Sequence, residues 1–195
     1  MINCIVMASG YGSRIGTNKL LLEYRDKKLI EHIMDKILQI NFYSRLVVAK
    51  DKEVLDIAGK RGFKVVENKN SILGQSESIK LGIENSPVAE GYMFFTGDQP
   101  LLSKLTIKKM IDAFKNNPQN IIIPRYKERK GSPVIFSSIF IDELKALKGD
   151  KGGREVIKRN KDSLVFVEVE NEYELMDIDT WEDYEKLQLQ RKDNL

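Results

Sequence analysis

Short apolar runs recur along the chain and alternate with stretches whose apolar residues return at helical spacing. The runs at 3–7, 46–49, 64–66, 92–96, 120–123, 133–136 and 164–169 predict strands. Unbroken apolar sequence such as Tyr92-Met93-Phe94-Phe95 fits a strand covered on both faces. Ile30, Ile33, Met34 and Ile37 fall on one side of a helix, as do Ile107, Met110, Ile111 and Phe114. Ser103 is placed to cap the second helix, and Pro118 follows its end. A final helix is expected to run to about Leu189, with Trp181, Tyr184 and Leu187 as packing positions. The alternation predicts an α/β fold, a three-layer αβα sandwich around a mostly parallel sheet. Residues 1–190 are expected to form a single domain, with a frayed tail at 191–195. Such sheets bind ligands at the carboxyl ends of their strands.

Composition narrows the function classes. The chain has 195 residues, 42% hydrophobic and 31% charged, enough for a full core under a charged surface. A formal net charge of +3 gives no bulk argument for nucleic acid. Cys4 is the one cysteine, so no internal disulfide and no Cys/His zinc cluster is expected. It reads as a small buried hydrophobe. No apolar run approaches the ~20 residues that span a bilayer, and Met1 leads straight into a strand. The expectation is a cytoplasmic, reduced protein without a membrane partner. His32, beside Glu31 on a patterned helix, is read as structural.

The strongest chemical signal follows the first strand: Met7-Ala8-Ser9-Gly10-Tyr11-Gly12-Ser13-Arg14-Ile15-Gly16-Thr17-Asn18-Lys19. Glycines after a buried strand let backbone N–H groups approach a polyphosphate, and Arg14 and Lys19 add cations. The glycines at 10, 12 and 16 make G-x-G-x-x-x-G, one residue longer than a dinucleotide fingerprint. Lys19 lies three positions beyond Gly16 and precedes Leu20, so a Walker loop does not fit either.

Other clusters join it. Gly97-Asp98-Gln99-Pro100 puts a carboxylate just past a buried strand, suited to Mg²⁺ bridging nucleotide phosphates or to a simple Asx-turn. Asp177 and Asp179 flank Ile178 and are expected to project together, while Thr180, Glu182 and Asp183 start the last helix. Gly74, Gln75 and Ser78 open a helix and can read a base edge or merely cap it. The glycines at 149, 152 and 153, followed by Arg154, suit an anion site or a plain turn. Residues 125–132 read as a basic loop.

Together these pieces resemble the MobA-like nucleotidyltransferases, and within them the molybdenum cofactor cytidylyltransferases (MocA type). The similarity runs over 2–187. The family's loop, x-A-[AG]-G-x-[GS]-[ST]-R-[ML]-G-x-x-K-[LA]-L, is matched at 7–21. Its G-D-x-P is Gly97-Asp98-Gln99-Pro100, its G-x-P is Gly131-Ser132-Pro133, and its D-I-D-T-P-x-D is Asp177-Ile178-Asp179-Thr180-Trp181-Glu182-Asp183. Departures are Ser9 for a small apolar residue or glycine, Trp181 for proline, and Ser132 where relatives often have histidine.

The resemblance implies a nucleotide-diphospho-sugar transferase-like fold with a Rossmann-like central sheet. It implies that Ala8, Ser9, Gly10, Gly12 and Ser13 hold the nucleotide together with Gly74, Gln75 and Ser78. Arg14 and Lys19 would neutralise the triphosphate. Asp98 and Asp179 would bind Mg²⁺, with Asp177 in reserve, and Arg125, Ser132 and Arg154 would meet the acceptor. The implied reaction moves CMP from CTP to the phosphate of molybdenum cofactor (molybdopterin) and releases pyrophosphate. Cytosine is favoured because the guanylyltransferase branch has a G-P-x-x-G turn that this chain lacks. A transient contact with a molybdenum hydroxylase is also implied. The rivals are transfer from GTP or to a sugar or alcohol phosphate, a dinucleotide oxidoreductase, and a non-catalytic cofactor chaperone.

Overall fold

The structure is a computed structural model and describes residues 1–10 and 15–189. Ten strands are labelled in chain order: β1 (Ile2–Ala8), β2 (Glu23–Tyr24), β3 (Lys27–Lys28), β4 (Ser44–Ala49), β5 (Lys64–Glu67), β6 (Gly91–Thr96), β7 (Ile121–Tyr126), β8 (Arg129–Lys130), β9 (Val134–Ser137) and β10 (Leu164–Glu168). The helices are α1 (Leu29–Leu38), α2 (Lys52–Lys60), α3 (Gln75–Glu84), α4 (Lys104–Asn116), α5 (Ile141–Lys145), α6 (Gly153–Arg159) and α7 (Trp181–Leu189).

An eight-stranded sheet has the order β10-β7-β9-β6-β1-β4-β5, with β8 added to β7. β1 lies centrally, parallel to both β4 and β6. β9 runs antiparallel between β6 and β7. Every predicted strand run lies in this sheet.

Alternation along β1 shows how the layers form. Cys4, Val6 and Ala8 face a core shared with Ile33 and Ile37 of α1, Val54 of α2 and Ile107 and Phe114 of α4. Ile5 faces the opposite core, with Ile79 and Ile83 of α3, Leu144 of α5 and Val156 of α6. Successive strand residues point to opposite faces, so helices cover both sides. The three-layer α/β architecture follows.

Local signals set the helix starts. The Ser103 hydroxyl accepts from Thr106 N–H at 3.0 Å, capping α4 as its sequence predicts. Asp51 caps α2 by accepting from Glu53 N–H at 2.9 Å. Neither α2 nor α5 stands out in the apolar pattern. α2 buries only Val54 and Ala58, and α5 is a single short turn burying Leu144.

Two expectations change, and one element is additional. Residues 125–132 are not simply a basic loop: Arg125 pairs with Lys130 and Tyr126 with Arg129 across a hairpin in which Lys127 has φ 52°. A small β2–β3 hairpin follows the Lys19 segment. Trp181 is not a core residue, being 46% exposed, whereas Leu187 is fully buried. Among the described residues no helix is long and apolar enough to cross a membrane.

Candidate active site

Lys19 opens a short 3₁₀ turn (Lys19–Leu21) whose start is fixed by Asn18, the side chain of which accepts from Leu20 N–H at 3.1 Å. Leu20 is buried beneath it. The Lys19 Nζ therefore reaches a defined place, 2.5 Å from Asp98 Oδ2 and 2.6 Å from Asp179 Oδ1. These partners lie 79 and 160 positions away in sequence. Asp98 stands just past β6. The backbone N–H of Ile178 donates to Asp98 O at 3.1 Å and ties the two acidic segments together. Ile178 is fully buried, and Asp177 and Asp179 both line the cleft, so they project together as expected.

A helix cap fixes Asp179 in turn. Asp183 Oδ2 accepts from Asp179 N–H at 3.2 Å, Thr180 N–H at 2.9 Å and the Thr180 hydroxyl at 2.7 Å. Thr180 and Asp183 therefore start α7, as the sequence predicts.

Charge is concentrated here. Burial opposes the Lys19 ammonium, but the carboxylates of Asp98 and Asp179 outweigh that cost and raise its pKa. Asp177 is pushed up to about 6, first by burial and then by the neighbouring charges of Asp98 and Asp179. Asp98 Oδ1 is buried without a hydrogen-bond partner among the described residues. No group of three or more His, Cys, Asp or Glu set to hold a metal exists among those residues. A magnesium ion needs less, because it takes one or two carboxylates and fills its shell with phosphate oxygens and water. Asp98, with a spare buried oxygen, and Asp179 fit that requirement.

Two cavities meet at this cluster. The smaller is about 300 Å³. Ala8, Ser9 and Gly10 line it beside Lys19, and Gly74, Gln75 and Ser78 face them. Its polar groups are mostly spoken for. Ser9 Oγ donates to Val48 O at 3.3 Å, and Ser78 Oγ accepts from Asn68 Nδ2 at 3.0 Å. The larger cavity, about 780 Å³, has an apolar floor that includes Phe94, Val134 and Phe136. Lys130, Ser132, Lys151 and Arg154 stand around it. Asp98 and Asp179 line both.

Most residues singled out in the sequence thus come together at the carboxyl ends of β1 and β6. Gly12, Ser13 and Arg14 lie outside the described residues. Arg125 is not part of the cleft lining. Its Nε donates to Glu168 Oε1 at 2.8 Å and its guanidinium lies over Phe166. Arg129 and Lys130, on the β8 side of the hairpin, line the cleft instead. Thr96 was missed. It ends β6 on the wall shared by both cavities, and its buried hydroxyl has no partner among the described residues. Its place two residues before Asp98 was the available signal. His32 is structural: Nε2–H donates to Tyr24 O at 2.6 Å.

The family model described as MobA-like NTP transferase domain matches residues 4–164. A probable molybdenum cofactor guanylyltransferase of Natranaerobius thermophilus is 32% identical over 63% of this chain. The match spans 60% of that relative's own length, less than two thirds. The molybdenum cofactor cytidylyltransferase of Escherichia coli K12 is 24% identical over 94% of this chain and 93% of its own. Further curated relatives carry the guanylyltransferase name. The crystal structure of Rv0371C from Mycobacterium tuberculosis in complex with manganese superposes with a TM-score of 0.79 at 26% identity, covering 96% of this chain and 98% of that one. Solved nucleotidyltransferases share the fold, which is the expected nucleotide-diphospho-sugar transferase type.

Proposed function

We propose a function from one premise: the chain belongs to the MobA-like NTP transferase family. It is a nucleotidyltransferase of the molybdenum cofactor type, and its reaction moves CMP from CTP to the phosphate of a molybdopterin-type acceptor. An acceptor phosphate oxygen attacks the α-phosphorus. A new phosphoanhydride bond forms, the bond between the α- and β-phosphates breaks, and pyrophosphate leaves with the electron pair. The attacking phosphate is already anionic, so the step needs no strong base. That suits a chain with a single histidine, His32, engaged elsewhere.

The observation that carries this reading is the Lys19 ammonium, on the wall of the smaller cavity, paired with Asp98 and Asp179, the two carboxylates that line both cavities. Nucleotide fills the smaller, with its base at Gly74, Gln75 and Ser78 and its phosphates against the backbone of the loop that begins at Ala8. Lys19 and Arg14 neutralise the triphosphate. Magnesium held by Asp98 and Asp179 would supply the remaining charge compensation on the phosphates. Catalysis is then positioning and electrostatics. The acceptor takes the larger cavity, with its apolar part on the Phe94 and Phe136 floor and its phosphate toward the shared wall. Arg154, Ser132, Arg129 and Lys130 serve it, and Arg125 does not.

A second reading, GTP as donor, is favoured by the guanylyltransferase names among the relatives. Melting curves separate the two. CTP with Mg²⁺ should stabilise the protein more than GTP does, since a site built for one base leaves polar groups unpaired around another. At a hundred times its dissociation constant a ligand adds about 2.7 kcal/mol. A larger shift with GTP replaces CMP by GMP in the reaction and leaves the rest standing.

A further inference from the structure

We infer that Gly152, on the wall of the larger cavity, sets nucleotide selectivity by seating the side chain of Gln75, which also lines the smaller one. The inference rests on the reading of the smaller cavity as the nucleotide pocket. It assigns a task to the 149–153 loop, whose sequence left an anion site and a plain turn equally open.

The turn at 74–76 and the loop at 149–152 touch residue by residue. A Cβ on Gly74 would lie 2.3 Å from Gly149 C and 2.5 Å from Asp150 N. Gly74 also has φ 99°, so glycine is required there on two grounds. Ser76 N–H donates to Gly149 O at 3.1 Å. Between them, Gln75 points its carboxamide at Gly152: a Cβ there would sit 1.9 Å from Gln75 Oε1 and 2.7 Å from its Cδ.

Gly152 differs from Gly74 in kind. Its φ of −111° and ψ of −169° suit any residue, so no backbone strain calls for glycine. Space alone does, and what fills the space is the free end of a long side chain. Gln75 lines both cavities, whereas Gly152 lines only the larger. A methyl group at 152 therefore leaves the fold alone and drives the Gln75 carboxamide out of its seat. Gly152 is a positioning residue, acting on the base through Gln75.

The test is a double-mutant cycle read in nucleotide binding. Dissociation constants for CTP and GTP are measured with Mg²⁺ and without acceptor, on wild type, Gly152→Ala, Gln75→Ala and the double variant. Gly152→Ala is expected to weaken CTP binding and narrow the CTP-to-GTP ratio by about tenfold, the scale of one lost hydrogen bond in a buried site. Gln75→Ala should do the same, and the double variant should lose no more than Gln75→Ala alone. Wild-type CTP affinity and ratio in Gly152→Ala would overturn the inference, as would losses that multiply in the double variant. The Gln75→Ala background carries the test even if Gly152→Ala alone folds poorly, because the three atoms nearest the added methyl all belong to the Gln75 carboxamide and, once it is gone, nothing else lies closer than 3.5 Å. If GTP is the better ligand of wild type, the same cycle is read on GTP. Failure of the underlying function looks different: no nucleoside triphosphate would bind the wild-type protein.

Discussion

The two cavities share a wall but are built in different ways. The smaller one is walled by backbone and in part by side chains already bonded to the scaffold, such as Ser9 to Val48 O and Ser78 to Asn68. The larger one has an apolar floor, and at its edge Lys130 and Arg154 are exposed. The first is shaped before anything enters it, which suits a donor whose α-phosphorus must be held in line. The second can adapt its cations to a bulkier anion. On the proposed reading, reaction and acceptor choice reside in different kinds of structure. Changes at the shared wall should cost turnover, and changes at the far rim should cost only acceptor affinity.

The largest expected effect is at the shared wall. Asp98→Asn keeps shape but not charge, and the loss of one such electrostatic contact costs about 3 kcal/mol in the transition state, roughly two orders of magnitude in kcat. Steady-state rates on a variant with wild-type circular dichroism check this. Near-normal turnover would remove Asp98 from the site and dissolve the distinction between wall and rim.

Lys19→Ala comes next. NTP use should weaken by about tenfold, as expected for a lost charged hydrogen bond. The contacts with Asp98 and Asp179 add a second expectation, that the free protein melts lower because Asp98, Asp177 and Asp179 lose the cation between them. Mg²⁺ should restore part of that melting temperature. A lower melting point with unchanged kinetics would make Lys19 purely structural.

At the rim, Lys130→Ala and Arg154→Ala should raise the acceptor KM by at most about fivefold, because exposed ion contacts are weak. The CTP KM and kcat should hold. A loss of kcat would place these side chains at the reacting phosphates and erase the contrast.

The smallest effect lies outside both cavities. Burial lowers the His32 pKa, so the unfolded chain binds a proton more readily than the folded one near pH 6.5. Stability therefore falls as pH drops below 6.5, and His32→Asn should flatten that part of the melting profile while activity at neutral pH is unchanged. An unchanged slope would deny the histidine any share in it.

Much of the smaller cavity was legible in the sequence and much of the larger was not. Strand runs such as 92–96 announce themselves because both faces are apolar, and the glycines, Lys19 and Asp98 follow such runs directly. The Asp177-Ile178-Asp179 alternation foretold two carboxylates on one side of a buried isoleucine. The rest depended on partners distant in sequence. Arg125 reads as a free cation until Glu168, 43 positions away, is placed beside it by the parallel pairing of β7 with β10. The β8 hairpin turns on Lys127 at positive φ, a residue with no turn propensity to signal it. Trp181 sits at the right helical offset from Tyr184 for packing, yet α7 leaves it exposed and buries Leu187 instead.

The most direct measurement is pyrophosphate release from CTP, with Mg²⁺, in the presence and absence of molybdopterin. Release that requires nucleotide and acceptor together is the expected result, since the proposed attacking group is the acceptor's own phosphate, across the wall of Asp98 and Asp179. Equal release without acceptor, or none from any nucleoside triphosphate with acceptor present, would contradict the division of the site into a donor cavity and an acceptor cavity.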